Sequence, residues 1–208
     1  MDMKLLNDLC EFILLTSAKY KIDESHDISH SMDVLYNAYS IYEIEKDICP
    51  IVKEHRNIIY IAAALHDMCD KKYMDEKEGI KEIEKFLESK LSDDEINVIS
   101  SIITTMSYST VKTNGYPDLG IYQTAYHIVR EADLLSAYNF DRCVIYGIKV
   151  KKDNFETTFS RAETLFNERV LRHGVDNLFT TQYARTSFPA LHFQAIERIN
   201  TWKRLLQK

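Results

Sequence analysis

A run of eight apolar residues at positions 58 to 65 constrains the fold of this chain more than any other segment. It reads Ile-Ile-Tyr-Ile-Ala-Ala-Ala-Leu, so a helix wound from it is apolar on nearly all sides. A helix without a polar face belongs in the centre of a domain, covered by other elements. The run ends in His66 and Asp67, a poor way to finish a core helix and a good way to present a metal. The segment therefore predicts a central helix with a metal site at its end.

The rest of the chain also shows helical spacing of apolar residues, as in the stripe that begins at Leu5 and the one that resumes at Val34. Only 5 Gly and 3 Pro occur in 208 residues, which disfavours a turn-rich sandwich or barrel. We expect an all-α fold. Helices are predicted over residues 5–14, from near residue 30 to residue 42, and over residues 80–87, 96–103, 121–138, 140–150, 155–171 and 191–206.

Several local signals mark where these helices begin and end. Ser92 and Glu95 form a capping-box pattern, and Asp27 is a candidate cap for the second helix. Asn-Gly and Pro crowd into residues 112–118, which predicts a surface loop there. Looser stretches are expected around His173 and around Pro189.

Length and charge narrow the function classes. A chain of 208 residues falls in the range where one domain is common, and we expect a single domain over residues 1–208. The formal net charge of -6 gives no general attraction to a nucleic-acid polymer, and no Lys and Arg run supplies a local footprint. The composition therefore disfavours a nucleic-acid-binding protein.

Cysteine usage and hydropathy point to an intracellular location. The 4 cysteines are scattered without a CxxC pair, which fits reduced thiols better than a disulfide framework or a zinc ribbon. The N-terminal segment is interrupted by polar residues, unlike a secretion signal, and no run of about 20 apolar residues appears. We expect a cytoplasmic protein that does not bind a membrane.

Two further residues complete a possible metal site with His66 and Asp67. Adjacent residues on one helix diverge by about 100°, so a metal needs ligands from several helices. His30 opens the helix before the central one, and Asp133 lies beside two leucines in a later helix. Two imidazoles and two carboxylates suit manganese, iron, zinc or cobalt, and suit magnesium less well.

Three segments of the sequence resemble a known family. His-Asp-Ile-Ser-His at 26–30, Ala-Leu-His-Asp at 64–67 and Glu-Ala-Asp-Leu-Leu at 131–135 look like the three motifs of the HD-domain phosphohydrolases, in order and in spacing. The resemblance lies within residues 22–145, about half of the chain. Residues 150–208 carry no such motif and are expected to form a helical extension packed on that part.

The resemblance implies an all-helical bundle around one divalent metal ion (Mn, Fe, Co, Ni, Zn or Mg), with His30, His66, Asp67 and Asp133 as its ligands. It also implies hydrolysis of a phosphoester or phosphoanhydride bond by a metal-activated water, on a nucleotide or another small phosphorylated metabolite. A phosphodiesterase remains an alternative. A metal-binding regulatory module without turnover remains another.

The segment that follows the HD pair supplies the catalytic candidates. Asp70 lies three residues after Asp67, on the adjoining turn if the helix persists, and is the leading acid-base candidate. Residues 66–72 resemble the HD-x-x-D-x-K form of some small bacterial members, which implies that Lys72 meets a phosphate, and Asp75 resembles a second acidic position of the nucleotidases.

Other polar residues near the motifs have weaker assignments. Arg130 and Arg142 flank Asp133 and are candidate phosphate contacts, although Arg130 could equally pair with Glu131. His26 shares a helix face with His30, and we expect it to orient a loop or support the ligands rather than bind the metal.

Two departures from the family pattern limit how far the family's residue roles can be assigned to this chain. Asp33 replaces an arginine of many relatives, and Met106-Ser107 replaces a His-Ser pair. The only histidine between the HD pair and Asp133 is His127, about 240° away from Asp133 around their helix. The sequence therefore favours one metal ion over two.

Overall fold

The computed structural model of the protein describes residues 1–23 and 25–207, and in these ranges it contains helices and no strand. The expected all-α fold is confirmed. The α-helices are α1 (Met3–Tyr20), α2 (Ile28–Ile48), α3 (Arg56–Leu65), α4 (Glu76–Leu87), α5 (Asp93–Thr105), α6 (Tyr108–Asn114), α7 (Gln123–Ser136), α8 (Phe140–Lys149), α9 (Phe155–Glu168) and α10 (Gln182–Leu205). Short 3-10 helices cover Pro50–Lys53, Gly120–Tyr122 and Val170–Arg172.

The apolar run forms the central helix, as the sequence predicts. Every residue from Ile58 to Leu65 in α3 is buried. Helices α2, α5 and α7 pack around α3, and α2 also packs along α7. This arrangement brings the start of α2, the end of α3 and the end of α7 to one region of the molecule, which is where the three sequence motifs lie.

Caps fix several helix starts. Ser92 and Glu95 form the predicted capping box at α5, with both reciprocal bonds present. The Asp27 side chain accepts from the Ser29 amide and so caps α2, as expected. The Asp75 side chain accepts from the amides of Lys77 and Glu78 and caps α4. Asp75 therefore has a structural role that the sequence analysis did not predict.

Two expectations on local structure were wrong. Helix α6 extends to Asn114, so the predicted 112–118 loop begins only at Gly115, whose φ of 75° ends the helix. Pro189 lies inside α10 and not in a loose stretch, because α10 begins at Gln182, nine residues before the predicted start at Leu191. The Thr181 side chain caps this earlier start.

Two buried glutamates anchor the start of α10 to the central helices. Glu131 of α7 accepts hydrogen bonds from the amide and hydroxyl groups of both Thr180 and Thr181, at 2.5 to 3.0 Å. Glu45 of α2 accepts from the Gln182 amide at 2.6 Å. Helix α10 accordingly packs against α2, α7 and α8.

Among the described residues, no helix combines the length and the apolar character that crossing a membrane requires.

Candidate metal centre

The four predicted ligands come together where three helices meet. His30 lies in the first turn of α2, His66 and Asp67 directly follow α3, and Asp133 lies near the end of α7. His30 and His66 are buried, and the side chains of Asp67 and Asp133 are 16% and 25% exposed. The carboxylates therefore lie on the more open side of the group.

The spacing of the polar atoms fits a cation held by His30, His66 and Asp133, with an Asp67 oxygen beside both imidazoles. Nε2 of His30 lies 3.2 Å from Nε2 of His66, 3.3 Å from Oδ2 of Asp67 and 3.4 Å from Oδ1 of Asp133. Nε2 of His66 lies 3.3 Å from the same Asp67 oxygen and 3.7 Å from the same Asp133 oxygen. An ion with bonds of about 2.0–2.2 Å holds neighbouring ligand atoms roughly 2.8–3.6 Å apart. His30, His66 and Asp133 form a group able to hold a metal ion.

Two hydrogen-bonding details test this fit further. Oδ2 of Asp67 is buried and has no hydrogen-bond partner among the described residues, although it faces both imidazoles. Nδ1 of His66 lies 2.9 Å from the Ala63 carbonyl oxygen and donates to it, which leaves the lone pair of Nε2 pointing into the group. Both observations fit a group of side chains suited to holding a cation.

The protonation preferences show how strongly the group attracts positive charge. Burial lowers the pKa of His66, but the Asp67 and Asp133 carboxylates outweigh it and raise this pKa to about 9. Burial raises the pKa of Asp67, yet His66 and its neighbouring histidines hold it well below the ordinary value. Without a metal, a proton on His66 balances part of the buried negative charge.

Lys72 and Asp70 lie on the rim of this group. Helix α3 ends at Leu65, so the helical continuation that would have carried Asp70 is absent, and residues 66 to 73 form turns instead. Asp70 accepts from the Lys72 amide at 2.8 Å, and its Oδ2 lies 3.2 Å from Lys72 Nζ. Asp70 thereby positions the lysine ammonium, which is half exposed.

His26 connects this rim to the ligand histidine. Its Nε2 lies 3.1 Å from Lys72 Nζ, and its ring centroid lies 6.2 Å from that of His30. Ser25 Oγ and Tyr73 Oη hold its Nδ1 at 2.6 and 3.1 Å. The predicted supporting role of His26 agrees with these contacts, since none of them is to the candidate metal position.

Arg142 is the second cation at the centre. Its guanidinium, on the first turn of α8, donates to Nδ1 of His30. A guanidinium can only donate, so this contact places a fixed positive charge beside the candidate ligand His30.

Three other candidates lie in different surroundings. Arg130 is buried, and its Nη2 donates to Glu131 at 2.9 Å and to the Leu178 carbonyl, so it takes the pairing named as its alternative. Asp75 caps α4, and no contact of its side chain with the four ligands is present among the described residues. His127 packs beside Arg130 and the Tyr116 ring and is not a member of the metal-ligand group.

Sequence reasoning missed the partners of His26. The Tyr73 hydroxyl donates to Asp23 Oδ2 and lies at the His26 ring, which joins the loop before α2 to the loop after α3. A polar, cap-rich stretch at residues 23–29 was the only signal for Asp23. The pairing with Tyr73, 50 residues later in the chain, is a property of the fold.

Comparison of the chain with protein-family models, with curated proteins and with solved structures yields no match. The resemblance to the HD-domain phosphohydrolases therefore continues to rest on the three motifs and on the geometry of the residues that they contain.

Proposed function

We propose that the protein is a metal-dependent phosphohydrolase of the HD-domain type, acting on a nucleotide or a similar small phosphorylated metabolite. The observation that carries this proposal is the convergence of His30, His66 and Asp133 from three helices into a group able to hold a metal ion, with an Asp67 oxygen 3.3 Å from each imidazole. The buried, unpartnered oxygen of Asp67 supports it, because an isolated buried carboxylate oxygen is costly unless a cation compensates it.

A divalent ion held by these residues would supply Lewis-acid chemistry, which makes water nucleophilic near neutral pH and polarises a phosphoryl oxygen. The ligand residues themselves set the position. His66 is held in one tautomer by the Ala63 carbonyl, and the four side chains are anchored on α2, α3 and α7, which pack against one another. Such anchoring preorganises the site.

Two cationic side chains near the ligand group, those of Lys72 and Arg142, support a phosphorylated substrate. Lys72 lies beside the supporting His26 and Arg142 beside the ligand His30, and their charge suits a phosphate group in a site that is otherwise acidic. Asp70 is our candidate for handling the proton of the attacking water, next to the Lys72 ammonium that it positions.

The first experiment pairs metal analysis with a substrate screen. Purified protein is analysed for bound metal and then assayed with nucleotides and other phosphate mono- and diesters in added manganese, cobalt or nickel. We expect about one metal ion per chain and release of phosphate or of a phosphorylated product. A protein that binds one metal but is inert toward the whole panel would instead support the regulatory module.

Substitutions separate the residues that bind the metal from the residue proposed to transfer a proton. Asp133→Asn removes a predicted ligand, and we expect loss of bound metal and of activity together. Asp70→Asn should keep the metal and lower kcat by about a hundredfold or more, the usual range for a proton-transfer group. Asp47→Asn is the matched control, because that aspartate is 72% exposed and lies at the far end of α2 from the site. Full activity in Asp70→Asn would remove Asp70 from the mechanism.

Asp75→Asn tests the remaining catalytic candidate. Because Asp75 accepts two amide bonds at the start of α4 and Asn caps a helix as well as Asp does, this substitution should leave stability and kcat nearly unchanged, whereas Asp75→Ala should cost about 1 kcal/mol of stability. A loss of kcat at unchanged stability would show that Asp75 acts in catalysis.

A further inference from the structure

A cleft of about 400 Å³ lies between α2, the junction of α7 with α8, and α10. Its volume is at the small end of the range of ligand pockets, about 300–1,000 Å³, and suits a ligand of nucleoside size. None of the four candidate ligands lines it, and neither does Lys72 or Arg142. The cleft is therefore a place in the fold that the proposed phosphohydrolase chemistry does not use.

The charged group of the cleft that has no partner among the described residues is the Asp33 carboxylate, which can only accept hydrogen bonds. Asp33, on an exposed position of α2, forms no hydrogen bond or ion pair with any other described side chain. Asn37 donates its amide to Ser136 Oγ at 2.8 Å, which leaves its carbonyl oxygen available. The Gln194 amide on α10 faces the same space without a partner among the described residues. A ligand with N–H donors fits this set.

The charges of the cleft disfavour an anionic ligand. In the part of the chain that the structure describes, Arg198 is the one cationic residue that lines it, and its Nε lies 3.0 Å from both carboxylate oxygens of Asp141. Trp202 Nε1 also donates to Asp141, at 3.0 Å. The Arg198–Asp141 pair is thus neutral and internally satisfied, and Asp33 adds an uncompensated negative charge. A phosphate group would find no free cation here.

Aromatic and aliphatic side chains complete the walls. Tyr36, Tyr138 and Phe140 contribute rings, and Leu135 and Leu191 contribute apolar surface. Tyr36 is 68% exposed, so one face of its ring is open to a planar partner. A nucleic-acid base gains affinity by stacking on an aromatic side chain of this kind.

We propose that this cleft binds a nucleobase that carries an exocyclic amino group, as adenine and cytosine do, presented by a nucleoside or nucleotide. One N–H of the amino group donates to the Asp33 carboxylate and the other to the Asn37 amide oxygen, one turn further along α2, and the base stacks on Tyr36. The inference stands apart from the proposed function, since a nucleoside without phosphate, in the absence of metal, is sufficient to test it.

The protein contains its own reporter for this binding. Trp202 is the single tryptophan of the chain and donates to Asp141, which lines the cleft. Titration with adenosine or cytidine should produce a saturable change in tryptophan emission, with calorimetry as the independent measurement. Inosine and uridine present a carbonyl oxygen in place of the amino group, and we expect them to bind about tenfold more weakly because that oxygen meets acceptors.

Substitutions at exposed positions locate the site without endangering the fold. Asp33→Ala and Tyr36→Ala should each weaken adenosine binding about tenfold. Tyr39→Ala is the matched control, because this half-exposed tyrosine lies on the same helix but does not line the cleft, and it should bind as the wild type does. Absence of saturable binding by all four nucleosides up to millimolar concentration overturns the proposal. So does equal weakening by Tyr39→Ala, or binding that Asp33→Ala and Tyr36→Ala both leave unchanged.

Discussion

The most demanding prediction concerns Glu131, a residue of the third motif whose contacts are structural. Its carboxylate is fully buried and accepts five hydrogen bonds, four from Thr180 and Thr181 and one from Arg130. Glu131→Gln keeps the shape of the side chain. It removes the charge that balances the buried Arg130 and turns one acceptor oxygen into a donor that faces other donors.

The expected cost follows from those contacts. Removing one partner of a buried ion pair costs about 3–5 kcal/mol, because it leaves the other charge buried and uncompensated. For a chain of about this length, each kcal/mol lowers Tm by roughly 2–4 °C, so Tm should fall by about 10 °C. Arg130 and the start of α10 should loosen together, since Glu131 holds both.

The assay is urea and thermal denaturation of Glu131→Gln beside Glu45→Gln. Glu45 is also buried at the start of α10, but its side chain accepts a single bond, from the Gln182 amide. Its substitution should cost only about 0.5–1.5 kcal/mol. If the two variants lose equal stability, the idea that Glu131 compensates Arg130 is refuted.

Three further predictions use other parts of the structure. Gly79→Ala should lower the free energy of unfolding by about 1–3 kcal/mol and weaken metal binding, because an added Cβ would come within 2.8 Å of the Cys69 backbone just after the HD pair. Denaturation and metal titration measure the two effects. Burial lowers the pKa of His173 to about 4, so the folded state resists protonation and loses stability as the pH falls from above 6.5 toward 4. In urea titrations between pH 6.5 and pH 5, wild type should lose about 1.5 kcal/mol more than His173→Phe. Lys72→Met should raise KM for a phosphate ester about tenfold with unchanged metal content, whereas the same change at exposed Lys71 should leave KM as it is.

Much of the fold could be predicted from the sequence because helix signals are local. The period of apolar residues located the helices, and the eight-residue run at 58–65 identified the one that had to be central. The capping box at Ser92 was readable for the same reason, since its two partners lie three residues apart. Pro189 misled the prediction of α10, because tertiary anchors at the start of this helix outweigh the local signal of a proline.

For the candidate site too, the sequence determined some features and the fold determined the others. The sequence by itself determined the residue types, two histidines and two aspartates in three segments, and it placed His30 at the start of one helix and His66 and Asp67 at the end of another. Only the tertiary structure decided that the two imidazoles lie 3.2 Å apart and within 3.7 Å of both aspartates, that Arg142 reaches His30 across 112 positions, and that Arg130 turns inward to Glu131. The cleft beside Asp33 is likewise a product of packing, because its walls come from three separate parts of the chain. Distances between remote segments follow from how whole helices pack, and no local pattern encodes them.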